Sequence, residues 1–132
     1  MANRQQSDSE FKSKGGAKRI FSAFIYSLDG FRAAWRNEHA FRQELALVVV
    51  GVVIALLLPI PARDQLALIG VLVLVLVVEL LNSAIEAIVD RVSLERHPLS
   101  KNAKDFGSAA VLLTLLLAGA VWAVILWPLL CA

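Results

Sequence analysis

The chain has one cysteine, Cys131, so no internal disulfide can form. It has two histidines and no His/Cys cluster at zinc-ligand spacing, which excludes a zinc site of the usual kind. No glycine-rich loop ends in Gly-Lys-Ser/Thr, and no His-Arg-Asp triplet occurs. P-loop and protein-kinase-type nucleotide sites are thereby excluded. Residues 1–40 are polar and basic, without a short apolar core followed by a small-residue cleavage site. No secretory signal peptide is expected there. No internal repeat is evident. The formal charge of +2 is small, and no nucleic-acid partner is expected.

What is present is apolar sequence. Hydrophobic residues make up 58% of the chain and mean hydropathy is +0.70, too high for an ordinary soluble domain. Residues 1–16, rich in Ser, Gln, Lys and Gly, read as a disordered polar leader. The remainder, 17–132, reads as one membrane domain. Over residues 17–36, Ile20, Phe21, Phe24, Ile25, Leu28, Phe31 and Trp35 recur at helical spacing. Lys18, Arg19, Arg32 and Arg36 fall between them. Such a basic amphipathic helix suits the membrane interface, or else a partner protein. Gly30 is placed to interrupt or bend it.

Three apolar runs follow, at about 37–60, 65–92 and 103–130. The first is short for a span of ~20 residues unless its helix starts near Asn37. Pro59 and Pro61 mark its end, and Trp122 and Trp127 are suited to anchor the third run at an interface. The expected fold is all-α and integral to the membrane: three transmembrane helices plus an N-terminal amphipathic surface helix. Basic residues gather before the first run and around the second connection, at Arg91, Arg96, Lys101 and Lys104. The first connection holds Arg63, offset by Asp64. Charge bias therefore places the N-terminus and the 91–104 loop in the cytoplasm, and the C-terminus outside.

The second run carries Glu79, Asn82, Glu86 and Asp90 at steps of three and four residues. At ~100° per residue they share one stripe of a helix. A carboxylate in such a segment is costly in lipid and faces a polar cavity or a partner. Glu86 and Asp90 fall at the inner surface, with Glu79 ~10 Å deeper. Glu38 at the start of the first span, and Lys104, Asp105 and Ser108 at the start of the third, fall at that surface too.

This cluster suits phosphoryl transfer from a nucleotide to a lipid alcohol. Glu38 and Glu86 are suited to hold Mg²⁺ on the phosphates, because this hard cation takes oxygen ligands. Lys104 is suited to neutralise the transferred group. Glu79 is suited to accept the hydroxyl proton, and Asn82 to orient the base or a phosphate. Plainer readings stand beside these. Glu79 could pair with a cation or a partner helix, and Glu38 and Glu86 could be solvated interfacial acids. Asp90 reads best as a helix-end ion pair with Arg91. Asp105 suits the N-terminal dipole of the third helix. Gly107-Ser-Ala-Ala110 suits close helix packing. A proton-coupled transporter and a non-catalytic membrane subunit remain open on spacing alone.

The segment Glu79-Leu-Leu-Asn-Ser-Ala-Ile-Glu-Ala-Ile-Val-Asp90 closely resembles the signature of the prokaryotic diacylglycerol kinase family. Ala103-Lys-Asp-Phe-Gly-Ser-Ala-Ala-Val111 follows at the family spacing. Arg32-Ala-Ala-Trp35, Asn37-Glu38 and Ala40-Phe-Arg-Gln-Glu44 are also similar, so the likeness covers about residues 17–130. The surface helix departs from the family pattern at Leu28 and Asp29.

The resemblance implies a homotrimeric enzyme of the bacterial inner membrane, with active sites shared between subunits. It implies ATP-dependent phosphorylation of diacylglycerol to phosphatidic acid. By matched position, Glu79 is the proton acceptor and Glu38 and Glu86 bind Mg²⁺ with ATP. Asn82, Lys104 and Asp105 belong to the nucleotide and transfer site. Arg19, Tyr26, Glu95 and His97 border the nucleotide. Ser108, Arg32, Trp35, Ala40, Phe41, Arg42, Gln43 and Glu44 approach the lipid, with Glu79. A related branch phosphorylates undecaprenol with the same acids; the long third helix and the 32–35 block lean toward diacylglycerol.

Overall fold

A computed structural model describes residues 15–132; residues 1–14, most of the polar leader, lie outside the described residues. The chain divides into two units, Met1–Arg36 and Asn37–Ala132. Four helices make up the described residues: α1 (Gly16–Asn37), α2 (His39–Leu57), α3 (Ala62–Val92) and α4 (Pro98–Leu130). The last three are long and apolar enough to cross a membrane.

Helix α1 runs unbroken through Gly30. One exposed ion pair spans that turn, Arg32 with Asp29 at 3.4 Å. Ile20, Phe21, Phe24, Phe31 and Trp35 are exposed along it. That exposure suits a helix lying in lipid headgroups.

In the second unit, Glu38 has extended backbone (φ −116°, ψ 109°) and separates the α1 segment from α2. The end of α2 follows from proline sterics. Leu58 precedes Pro59 and is extended (φ −73°, ψ 139°), because a following proline disfavours the helical region. The carbonyls left open there are met from the next helix. Gln65 Nε2 donates to the Ala55 carbonyl at 3.1 Å and to the Leu58 carbonyl at 3.4 Å. Helix α4 starts at Pro98, a residue suited to the first helical position, and His97 Nδ1 accepts from the Leu99 N–H at 3.1 Å. It therefore begins before the third apolar run, and its first turns are polar.

Helix α3 is central and packs on both α4 and α2. Its buried side is Leu68, Leu72, Val75 and Glu79; on α2 it is Phe41, Val48, Gly51 and Ala55; on α4, Gly107 and Ala118. Small residues bring the helices close. At Gly51 any Cβ would overlap Leu72 Cδ1 and lie 3.5 Å from Trp122 Cζ2. The Trp122 indole N–H donates to the Leu68 carbonyl at 3.2 Å. Trp122 is thus also a link between α4 and α3, whereas Trp127 is exposed. Most other large apolar side chains of α2, α3 and α4 point outward. Such a surface matches a lipid solvent, where apolar groups need no burial in protein.

Candidate active site

Helix periodicity places Glu79, Asn82, Glu86 and Asp90 on one side of α3, and the packing of α2 and α4 decides what each meets. Glu79 is 3% exposed and is the one buried charged side chain among the described residues. It lies within electrostatic reach of Glu86 and Glu38, and Glu44 lies within reach of Glu79. Four carboxylates from the first turns of α2 and the last half of α3 therefore share one neighbourhood. Like charges at such range repel in a medium of low dielectric, so the site is suited to attract a cation or a proton.

Asn82 Nδ2 donates to Glu86 Oε1 at 3.4 Å, one turn along the same helix. Its Oδ1 is buried without a partner, as are Glu44 Oε2 and Ser83 Oγ. Buried polar atoms are rarely left so, and all three belong to the two helices that carry the acids.

At the end of α3, Asp90 pairs with Lys104 of α4 at 2.7 Å, not with Arg91 as its position in the sequence suggested. The reason is tertiary: α4 brings an ammonium across the helix interface, whereas neighbours in a helix point away from each other. Lys104 also lies within reach of Glu86. Asp105 pairs with Lys101, four residues earlier on α4. Since α4 begins at Pro98, Asp105 stands past the first turn, and the helix dipole is no account of it.

A cleft of ≈ 820 Å³ opens beside the Asp90–Lys104 pair, lined in part by Asp90, Glu95, Arg96, His97, Lys101 and Lys104. Small-ligand sites commonly span ~300–1,000 Å³. Glu95 and His97 thus border the same opening as Lys104. His97 is also engaged as the cap of α4.

The remaining residues singled out in the sequence are dispersed. Phe41 is buried in the helix core, and Ala40 and Gln43 are exposed on α2. Arg42, half-buried, makes a hydrogen bond with His39 Nδ1. Ser108 is exposed beside buried Gly107, so of the Gly107-Ser-Ala-Ala110 group Gly107 alone packs inward within the chain. Arg19, Tyr26, Arg32 and Trp35 are exposed on α1. Three contributors stand otherwise than the sequence alone indicated. Ser83 shares a face with Glu79 four residues earlier and was legible only by that spacing. Glu44 joins the acids, and Gly107 touches Asn82.

Among the described residues no three His, Cys, Asp or Glu side chains form a ready metal cage. Magnesium is commonly held by one or two carboxylates plus substrate phosphates, so the donor set here fits a metal that arrives with a nucleotide.

Residues 25–126 match the prokaryotic diacylglycerol kinase family. The chain belongs to that family. It is 57% identical to the diacylglycerol kinase of Pseudomonas aeruginosa over 120 residues, covering 91% of this chain and 98% of the relative. Identity to the diacylglycerol kinase of Escherichia coli K12 is 52% over 112 residues, covering 85% and 92%. The Haemophilus influenzae diacylglycerol kinase is 40% identical, covering 85% and 95%. The all-helical architecture with three membrane-length helices is consistent with the family. The polar stripe, the Lys104 pair and Gly107 all fall inside the matched region.

Proposed function

We propose that the chain transfers the γ-phosphoryl group of ATP to the free hydroxyl of diacylglycerol, yielding phosphatidic acid and ADP. The observation that carries the reading is Glu79, a carboxylate buried among other acids on a membrane-length helix. The names of the family relatives support the lipid substrate.

Glu79 takes the proton of the lipid hydroxyl as that oxygen attacks the γ-phosphorus, and the bond to the β-phosphate bridging oxygen breaks as ADP leaves. Positioning and charge stabilisation supply most of the catalysis in such a reaction. Asn82 orients Glu86 through its amide. Lys104 leaves Asp90 for the transferring phosphate. Magnesium bound by Glu38, Glu86 and phosphate oxygens would neutralise the charge on the triphosphate. Arg19, Tyr26, Glu95, His97 and Asp105 border the nucleotide. Arg32, Trp35, Ala40, Phe41, Arg42, Gln43, Glu44 and Ser108 form the lipid approach, with Glu79.

Residues 17–132 act as one membrane kinase domain, and lysine and arginine bias places its nucleotide face in the cytoplasm of a bacterial inner membrane. The working form is a homotrimer with shared sites. The unpartnered Glu44 Oε2, Asn82 Oδ1 and Ser83 Oγ support that reading, since one subunit leaves them unsatisfied.

The deciding experiment is a kinase assay in lipid with Mg-ATP, offering diacylglycerol and undecaprenol side by side. Phosphatidic acid well above a Glu79→Gln control is expected. Phosphorylation of undecaprenol alone would move the chain to the polyisoprenoid branch, and no phospholipid product at all would end the kinase reading.

A further inference from the structure

Helices α3 and α4 meet at the polar stripe, where Gly107 faces Asn82. Gly107 is buried, and a Cβ built on it would overlap Asn82 Oδ1, sit 3.1 Å from Asn82 Cγ and 3.7 Å from Asn82 Cα. The last of these is ordinary contact, so the backbones themselves leave room for a methyl group. The amide does not. The space at residue 107 is filled by the carboxamide of Asn82.

The direction of that amide is set by chemistry. A carboxylate only accepts hydrogen bonds, so the NH₂ of Asn82 turns to Glu86 Oε1, 3.4 Å away. The carbonyl oxygen must then point the other way. It lies buried without a partner, over the bare backbone of Gly107. A side chain at 107 would drive the amide from this rotamer and take the donor from Glu86. Glycine elsewhere on α4 does no such work: around Gly119 nothing lies within 4 Å of an added Cβ.

We infer that Gly107 is a positioning residue for the transfer site: its missing side chain holds the Asn82 amide against Glu86. This rests on the reading of Asn82 and Glu86 given above. Gly107 touches no substrate; it acts through Asn82, which steadies a carboxylate assigned to the metal–nucleotide. The strain of a substitution would fall on the far end of one side chain, so the helices should still assemble while the site is disturbed.

The test is a double-substitution cycle on the full chain in lipid, with Gly107→Ala, Asn82→Ala and both together. Mn²⁺ with a non-hydrolysable ATP analogue serves as a magnetic-resonance probe of metal binding. Gly107→Ala should weaken Mn²⁺ binding ~10- to 100-fold, the usual effect of losing outer-shell support for a ligand. Its kcat should fall with the KM for diacylglycerol unchanged. In the Asn82→Ala background, where the amide is gone, Gly107→Ala should add nothing to either loss. Gly119→Ala should match the parent throughout.

Wild-type Mn²⁺ binding in Gly107→Ala, or losses that multiply in the double variant, would overturn the inference and leave the kinase reading intact. Parent-level turnover in Asn82→Ala would overturn the inference together with the role given to Asn82 in the transfer site. Should Gly107→Ala unfold, recovery of its melting temperature by Asn82→Ala supports the same contact. Failure to recover would assign Gly107 to helix packing alone.

Discussion

Lys104 Nζ lies 2.7 Å from Asp90 Oδ1, joining the last turns of α3 to the polar start of α4 at the rim of a cleft of ≈ 820 Å³. Both side chains are about half exposed, at 43% and 53%, so water screens the pair and it adds little to stability. Its consequence is for ligand charge. The ammonium is held at the cleft by a carboxylate with which an incoming phosphate would compete.

Removing either partner should therefore have opposite effects. Lys104→Ala should slow phosphoryl transfer ~100-fold, as when one charge-stabilising donor is lost. Asp90→Asn should lower the KM for ATP several-fold, most clearly at low salt, since it frees the ammonium. Steady-state kinetics at two ionic strengths would check both. An unchanged turnover in Lys104→Ala would remove that residue from the site.

Glu79→Gln keeps the size of the side chain and removes its basicity. Loss of a general base typically costs ~10²- to 10⁴-fold in rate. We expect that fall in kcat with nucleotide binding retained, measured by isothermal titration with an ATP analogue. A rate near that of the parent would show that another group takes the proton.

If Glu86 and Glu38 hold the metal as proposed, Glu86→Gln and Glu38→Gln should each raise the Mg²⁺ concentration needed for half-maximal activity by ~10-fold or more, since each would remove a charged oxygen ligand. The check is a Mg²⁺ titration at saturating ATP. Equal titration curves for parent and variants would place the metal elsewhere.

Trp122→Phe keeps the ring and deletes the indole donor to the Leu68 carbonyl. We expect ~1 kcal/mol of destabilisation, typical of one hydrogen bond, with catalytic constants unchanged. Gln65→Ala should act in the same way, by uncovering the last carbonyls of α2. Rates of thermal inactivation in lipid would show both effects.

Much of the polar stripe was legible because a helix converts spacing into direction. Steps of three and four residues alone put Glu79, Asn82, Glu86 and Asp90 on one stripe. Pro59 and Pro61 announced the end of α2, since proline lacks an N–H and constrains its neighbour. Partners across helices were not legible. Asp90 reads as the mate of Arg91 until α4 delivers Lys104. Trp122 reads only as an anchor, and its indole is also found to reach the Leu68 carbonyl. Gly107 is one small residue among several until Asn82 is found in the space it leaves.

The linear order of residues determined that this protein is helical, that three of its helices suit a bilayer, and which face of α3 is polar. Those properties depend on composition and on the 3.6-residue turn, both local to the chain. The tertiary structure alone decided which charges meet, which polar atoms stay without partners, and where one missing methyl group makes room for an amide. Contacts between helices depend on register and on approach distances of a few ångströms, and no periodicity within a single helix encodes the position of its neighbour.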